Sequence, residues 1–258
     1  MPKVVLLGSG NVAFHLTDAL ISAGHKIEQI YGRNEKTTKE LAKTANTSFC
    51  INPKDITSLA DIYFFCMNDI ANIEISGKIN VKSNPIIVHT AGSQSMSIFK
   101  DITKNYGVFY PFQTFTKGVK TDFSKVPVCI EASNDNTYQS LEKIADSLNC
   151  KSYNLDEKGR ETLHLCGVFA ANFMNHCVSL SEALLEENQI SKDLIKPLLE
   201  QSFYKIINSG SQVSQTGPAL REDQETINKH LNILKDNKQY SKVYQVLTES
   251  IIEWKKKN

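Results

Sequence analysis

The stretch Val4-Val5-Leu6-Leu7-Gly8-Ser9-Gly10-Asn11-Val12-Ala13 decides how this chain begins to fold. Four apolar residues without alternation suit a strand covered on both faces. The run passes directly into a G-x-G-x-x-A turn that opens a helix. Gly8 permits the tight strand-to-helix turn, Gly10 leaves room for a pyrophosphate against the backbone, and Ala13 lets the helix lie close to the sheet. Free N–H groups over Ser9, Asn11 and Val12, with the positive end of the helix dipole, favour phosphate charge. The alternative is the same turn without a ligand.

Moving outward, short apolar runs alternate with amphipathic stretches. Strands are predicted at Val4–Leu7, Ile27–Tyr31, Ile62–Met67, Ile86–His89, Gly107–Tyr110, Val126–Glu131 and Lys151–Tyr153. Helices are predicted at Asn11–Ala23, Glu35–Ala45, within Ile70–Ile79, and at Ser95–Lys104 and Asn136–Leu148. This alternation implies βαβ crossovers and a mainly parallel sheet. Past Lys158 the rhythm changes: Leu163, Cys166, Ala170, Phe173, Cys177, Leu180 and Leu184 form one apolar stripe at helical spacing. Further helices are predicted at Asp193–Ile207, Asp223–Lys235 and Gln239–Lys256. The expectation is an α/β domain over residues 1–157 and an all-α domain over 158–258.

Composition narrows the class. The 258 residues carry 29 Lys+Arg and 28 Asp+Glu, a net charge of +1, with 41% hydrophobic and 22% charged residues. That mix excludes a disordered chain, a fibrous repeat and a polybasic nucleic-acid binder. The apolar run Ile62–Met67 is among the longest and far too short for a membrane span. Lys3 precedes only four apolar residues before Gly8, which does not read as a secretion signal. The six cysteines form no C-x-x-C pair and sit mostly in apolar segments. They read as reduced core thiols and point to the cytoplasm. Histidines 15, 25, 89, 164, 176 and 230 show no ligand-pair spacing, so no metal site is expected. There is no G-x-S-x-G elbow.

The second strand ends at Tyr31-Gly32-Arg33-Asn34. An NAD-selective site places an acidic residue here, on the ribose hydroxyls. This chain instead offers Arg33, whose guanidinium can pair with a 2′-phosphate, so NADP is predicted over NAD; otherwise Arg33 is a solvated surface residue. Met67, Asn68 and Asp69 end another strand on the edge along which a dinucleotide would run.

These motifs carry a resemblance. GSGNVA, YGRN and ADIYFFCMND follow the order of the superfamily of β-hydroxyacid dehydrogenases, pyrroline-carboxylate reductases and F420-dependent NADP reductases. HTAGS (89–93), YPFQTF (110–115), LHLCGVFAANFMNH (163–176) and QTGPALREDQETINKHL (215–231) resemble the Rossmann-like proteins with a C-terminal domain of unknown function 2520. The resemblance implies an NADP-type Rossmann domain, a helical domain similar to that of 6-phosphogluconate dehydrogenases, and a homodimer. The hydroxyacid dehydrogenases place a lysine one turn before the asparagine of the long helix. Here that position is Val168, so the lysine-assisted mechanism does not carry over.

Candidate chemistry gathers on two features. On the long helix His164, Asn172, Asn175, His176 and Ser179 fall within about 120° of one another, opposite the apolar stripe. They either bond neighbouring backbone or line a cleft, in which His176 or His164 would donate a proton and Asn172 would orient a carbonyl or amide. His164 reads as structurally satisfied. On the sheet edge, Thr90 and Ala91 would approach the nicotinamide, His89 and Gln113 would meet substrate, and Ser93 could donate to an anionic group. An ordinary Ser/Thr turn is the alternative. Arg221 could clamp a substrate carboxylate or pair with an aspartate to fix its loop, with Asp223 as a helix N-cap. The leading expectation is an NADP(H)-dependent oxidoreductase acting on a small, anionic C=O or C=N compound. Hydride exchange with a deazaflavin of the F420 type, or a non-catalytic NADP(H) sensor, are the rivals.

Overall fold

The computed structural model describes residues 2–82 and 84–257 and falls into two compact units, Met1–Asn172 and Phe173–Asn258. The first unit therefore continues beyond the expected boundary at 157/158.

Its centre is an eight-stranded sheet in the order β3-β2-β1-β4-β5-β6-β7-β8. The strands are β1 Val4–Leu7, β2 Ile27–Tyr31, β3 Ser48–Cys50, β4 Ile62–Phe65, β5 Ile86–His89, β6 Asn105–Pro111, β7 Val128–Ala132 and β8 Ser152–Asn154. Every neighbouring pair is parallel except β6–β7. Side chains alternate between two cores, as a period of two requires. Val4, Leu6, Ile62, Phe64 and Val88 join one core with α1 (Asn11–Ser22), α2 (Glu35–Thr44) and α4 (Asp135–Ser147). Val5, Leu7, Tyr63, Phe65 and Ile87 join the other with Ile75 of α3 (Asp69–Ser76) and with Phe99. β1 neighbours both β2 and β4, so the chain departs in opposite directions from this point. That is where an open α/β sheet forms its crevice.

Three sequence expectations are corrected. β3 went unpredicted because it is a three-residue edge strand with a polar start. The helix expected over Ser95–Lys104 is a single 3₁₀ turn at Met96–Phe99, started by the Ser95 hydroxyl accepting from the Ser97 N–H. The long helix is two: α5 (Glu157–Gly167) and α6 (Met174–Glu187), separated by a π-helical segment over Val168–Phe173. Its expected stripe is not a core, because Cys166, Ala170 and Phe173 are exposed.

The second unit continues with α7 (Lys196–Ser209), the short α8 (Ser211–Ser214) and α9 (Pro218–Arg221), α10 (Gln224–Ile233) and α11 (Lys238–Lys257). The cysteines are free: 50, 66, 129 and 150 are buried as expected, Cys177 is half-buried, and Cys166 is exposed. No helix among the described residues is long and apolar enough to cross a membrane.

Candidate functional site

The glycine turn is built as its residues require. Gly8 has φ 130°, and a side chain there would strike the Cys66 carbonyl at the end of β4. Gly10 differs: its φ is −85°, and beyond its chain neighbours a Cβ would meet nothing within 4 Å. Gly10 is the N-cap of α1 and provides no side-chain cap. By contrast α2, α3, α4 and α5 are capped by the side chains of Asn34, Asn68, Asn134 and Asp156. The first N–H groups of α1 thus lack the oxygen acceptor that a Ser, Asp or Asn would supply. Beside this turn lies a cleft of about 310 Å³ lined by Gly8, Ser9, Gly10, Arg33, Asn34, Cys66, Met67 and Asn68.

Seven expected cofactor residues therefore meet around one space. Ser9 is oriented by a 2.8 Å hydrogen bond with Thr37, and the Thr38 hydroxyl donates to it at 3.3 Å. Asn34 and Asn68 each spend a side-chain oxygen on a helix cap, accepting from Thr37 N–H at 3.1 Å and Ala71 N–H at 2.9 Å. Arg33 is exposed. Asn11 points elsewhere: its side-chain Oδ1 accepts from the Lys117 backbone N–H at 3.2 Å.

The space widens along the ends of β4, β5 and β6 into a cleft of about 700 Å³. Val12, Met67, Thr90, Ala91, Ser93 and Gln113 are among its walls, as are Tyr110 and His164. A third lobe of about 430 Å³ shares Tyr110, Gln113 and His164 and adds Phe112, Val168 and Asn172. Ser93 donates to Asp69 at 3.3 Å, and Gln113 accepts from the Thr114 N–H at 2.9 Å.

Two features of this cleft went unread in the sequence. Arg160 of α5 is fully buried and holds the loop after β5. Its Nε and Nη2 donate to Glu131 at 3.2 and 2.9 Å, and its Nη1 donates to the Gly92 and Ala91 carbonyls at 2.9 and 3.3 Å. A guanidinium can bridge a carboxylate and two carbonyls because its donors fan out in one plane. The second feature is a 3.1 Å hydrogen bond between Tyr110 Oη and His164 Nδ1. A side chain at Gly92 would collide with both rings, so the glycine allows the loop to pass beneath them. Burial pushes the Tyr110 phenol up to about 12, with the Cys129 side chain adding to it and Arg160 opposing.

Other expectations are relocated. His89 was expected at the substrate, but it is wholly buried under the loop. Its Nδ1 accepts from the Ala91 N–H at 3.2 Å, and burial, reinforced by Arg160, pushes its pKa down to about 3. It is a neutral brace for the loop backbone. His176 and Arg221 belong to the second unit, where both are exposed. The π-helical segment interrupts the α-helical period on which the alignment of Asn172 with His176 depended. Asp223 caps α10 through the Thr226 N–H, and His230 is satisfied by Tyr244 at 2.8 Å. Among the described residues no group of three His, Cys, Asp or Glu could hold a metal.

Known proteins match this arrangement in both halves. Residues 3–92 match the family described as NADP oxidoreductase coenzyme F420-dependent, and residues 126–251 match the domain of unknown function DUF2520. A protein of Bacteroides fragilis, provisionally described as an NADP oxidoreductase, is 35% identical over 98% of both chains, with a TM-score of 0.94. More distant likenesses show the fold. Protein TM1727 of Thermotoga maritima is 18% identical over 98% of both chains, with a TM-score of 0.72. A reductive aminase from Aspergillus terreus, solved with NADPH and ethyl levulinate, is 13% identical over 98% of this chain and 94% of its own, with a TM-score of 0.69. No curated protein matches the chain in sequence. With a relative this similar over its whole length and both halves matched, the chain belongs to the NADP oxidoreductase family that joins an F420-dependent type of N-terminal domain to DUF2520.

Proposed function

We propose that the chain uses NADP(H) to reduce, or in reverse to form, a C=O or C=N bond in a small molecule. The observation that carries this reading is the N-terminus of α1. It lacks a side-chain cap, faces open space at Gly10, and lies where the sheet order reverses. The residues present fit the cofactor. The α1 amides and Ser9 would receive the diphosphate, and Arg33 would take the 2′-phosphate. Met67, Thr90 and Ala91 would carry the remainder along the strand ends. When bound, NADP(H) supplies or accepts the hydride. Ser93 and Gln113 border the wider cleft and Asn172 the adjoining lobe, and all three are suited to anchoring the polar groups of a substrate.

The family match over residues 3–92 favours one second reading, hydride exchange with an F420-type deazaflavin. A single assay separates the possibilities. NADPH absorbance is followed against a panel of carbonyl compounds, imines and a deazaflavin, after calorimetry has compared NADPH with NADH. Tighter NADPH binding with turnover of a carbonyl or imine supports the main reading. Turnover of the deazaflavin alone supports the second. Binding without any turnover supports a sensor, and the absence of NADPH binding removes all three.

A homodimer belongs to the same proposal. The second unit leaves Leu194, Leu198, Ile207 and Val213 65–79% exposed. Covering a large aliphatic side chain is worth about 1.5–3 kcal/mol. A second copy of the chain would provide that cover through an isologous contact.

A further inference from the structure

We propose that Tyr110 is the proton donor of this site and that His164 resupplies its proton, the pair serving reduction of a carbonyl or imine held against the loop after β5. The inference rests on the NADP(H) reading above, and it goes beyond that reading by assigning the acid chemistry to two residues. Both line the cleft of about 700 Å³ into which the dinucleotide groove opens. Their polar atoms lie 3.1 Å apart. Gly92, with no side chain, leaves a close approach to both rings, and Arg160 holds the Gly92 carbonyl through a 2.9 Å hydrogen bond from Nη1.

The chemistry follows from the surroundings of each ring. A half-buried phenol held near 12 keeps its proton at neutral pH, but it is a weak acid if it must become a free phenolate. It can deliver a proton only if another is returned as it leaves. His164 is exposed and hydrogen-bonded to the same oxygen, so it links that oxygen to solvent. In the reducing direction a hydride from the reduced nicotinamide forms the new C–H bond. The Tyr110 O–H bond breaks as the substrate oxygen or nitrogen gains its proton. The Nδ1 proton of His164 passes to Tyr110 Oη while Nε2 takes one from water. The sum is one hydride and one proton added across the double bond, the proton drawn from water, which leaves as hydroxide. Tyr110 is restored, and His164, left as its Nε2–H tautomer, returns to the Nδ1–H form by proton exchange with solvent before the next cycle.

The experiment uses the full-length protein with NADPH and the panel described above. Tyr110→Phe is expected to bind NADPH as the wild type does and to lose at least about 100-fold in turnover, the usual contribution of a general acid. His164→Ala is expected to lose turnover, and added imidazole should restore at least about tenfold of it. A structural role would not produce that rescue. In the ligand-free protein, the ¹⁵N shifts of the His164 ring should move in Tyr110→Phe. Tyr110→Phe within about twofold of wild-type turnover overturns the proposal, as does a His164→Ala defect that imidazole leaves untouched. A wild-type protein that binds NADPH but turns over nothing in the panel also overturns it. Failure of the underlying NADP(H) reading is distinguishable, because the wild type would then not bind NADPH.

Discussion

In the first unit β1 and β4 carry side chains with 0–3% exposure on both faces, whereas in the second unit α6, α7 and α11 bury none of theirs. Among the described residues the second unit's buried apolar side chains are Ala219, Ile227 and Leu234. The sheet unit thus builds its core internally and satisfies within itself even the buried Arg160 guanidinium, with a carboxylate and two carbonyls. The helical unit has the amphipathic helices of a core without the core. One set of contacts should respond to internal substitution at any protein concentration. The other should respond to dilution.

The largest effect expected is internal. Arg160→Met leaves Glu131 without its ion pair and two loop carbonyls without donors. Urea unfolding should show a loss of about 3–5 kcal/mol, equal in dilute and concentrated samples. A loss below about 1 kcal/mol would mean that the buried pair does not hold the first unit together.

The next effect sharpens the other side of the comparison. Replacing both Leu198 and Ile207, 65% and 79% exposed, with Asp should leave the sheet unit folded. If a second copy covers them, the dimer should weaken by at least about 2 kcal/mol, roughly 30-fold in dissociation constant. Light scattering would then move toward 28.9 kDa. A wild type already at that mass at micromolar concentration contradicts the dimer.

A third prediction concerns His89. Above pH 6.5 neither the folded nor the unfolded histidine is charged. Below it, the unfolded ring takes up a proton that the folded ring resists until near pH 3. This residue therefore makes stability fall as pH drops, by about 2 kcal/mol between pH 8 and pH 5. His89→Asn should flatten that part of the profile, and an unchanged slope would show that His89 is not the group responsible.

The extent to which the sequence could be read follows the same division. Val4–Leu7 was legible to the residue because a strand buried on both faces must be continuously apolar, and Ile86–His89 because three apolar residues open it. Ile27–Tyr31 was legible from Ile27, Ile30 and Tyr31, which are buried around the half-buried Glu28 and Gln29. The residues proposed for the dinucleotide could be listed from the sequence because they follow one another along the chain at the strand ends. Tyr110 and His164 lie 54 residues apart, and only the packing of α5 against the end of β6 brings them together. Arg160, between Gly159 and Glu161, has the local pattern of a solvated first helical turn, and nothing nearby in sequence signals its burial. The stripe from Leu163 to Leu184 has the right spacing for a core, but spacing alone does not say whether the cover comes from the same chain.

The smallest effect expected is at Arg33. Because this side chain is exposed, its pairing with a 2′-phosphate should be worth about 1 kcal/mol. Arg33→Ala should weaken NADPH roughly fivefold in calorimetry and leave NADH unchanged. Equal weakening of both would remove Arg33 from cofactor selection.

The uncapped start of α1 is tested most directly by Gly10→Val. The negative φ at Gly10 accepts a side chain, and beyond its chain neighbours a Cβ there meets nothing within 4 Å. The fold should therefore lose no more than the cap preference, about 1 kcal/mol in urea unfolding. Calorimetric titration should show the wild type binding one NADPH per chain and Gly10→Val binding none. A folded Gly10→Val protein that binds NADPH as tightly as the wild type would contradict the placement of the diphosphate at the α1 amides.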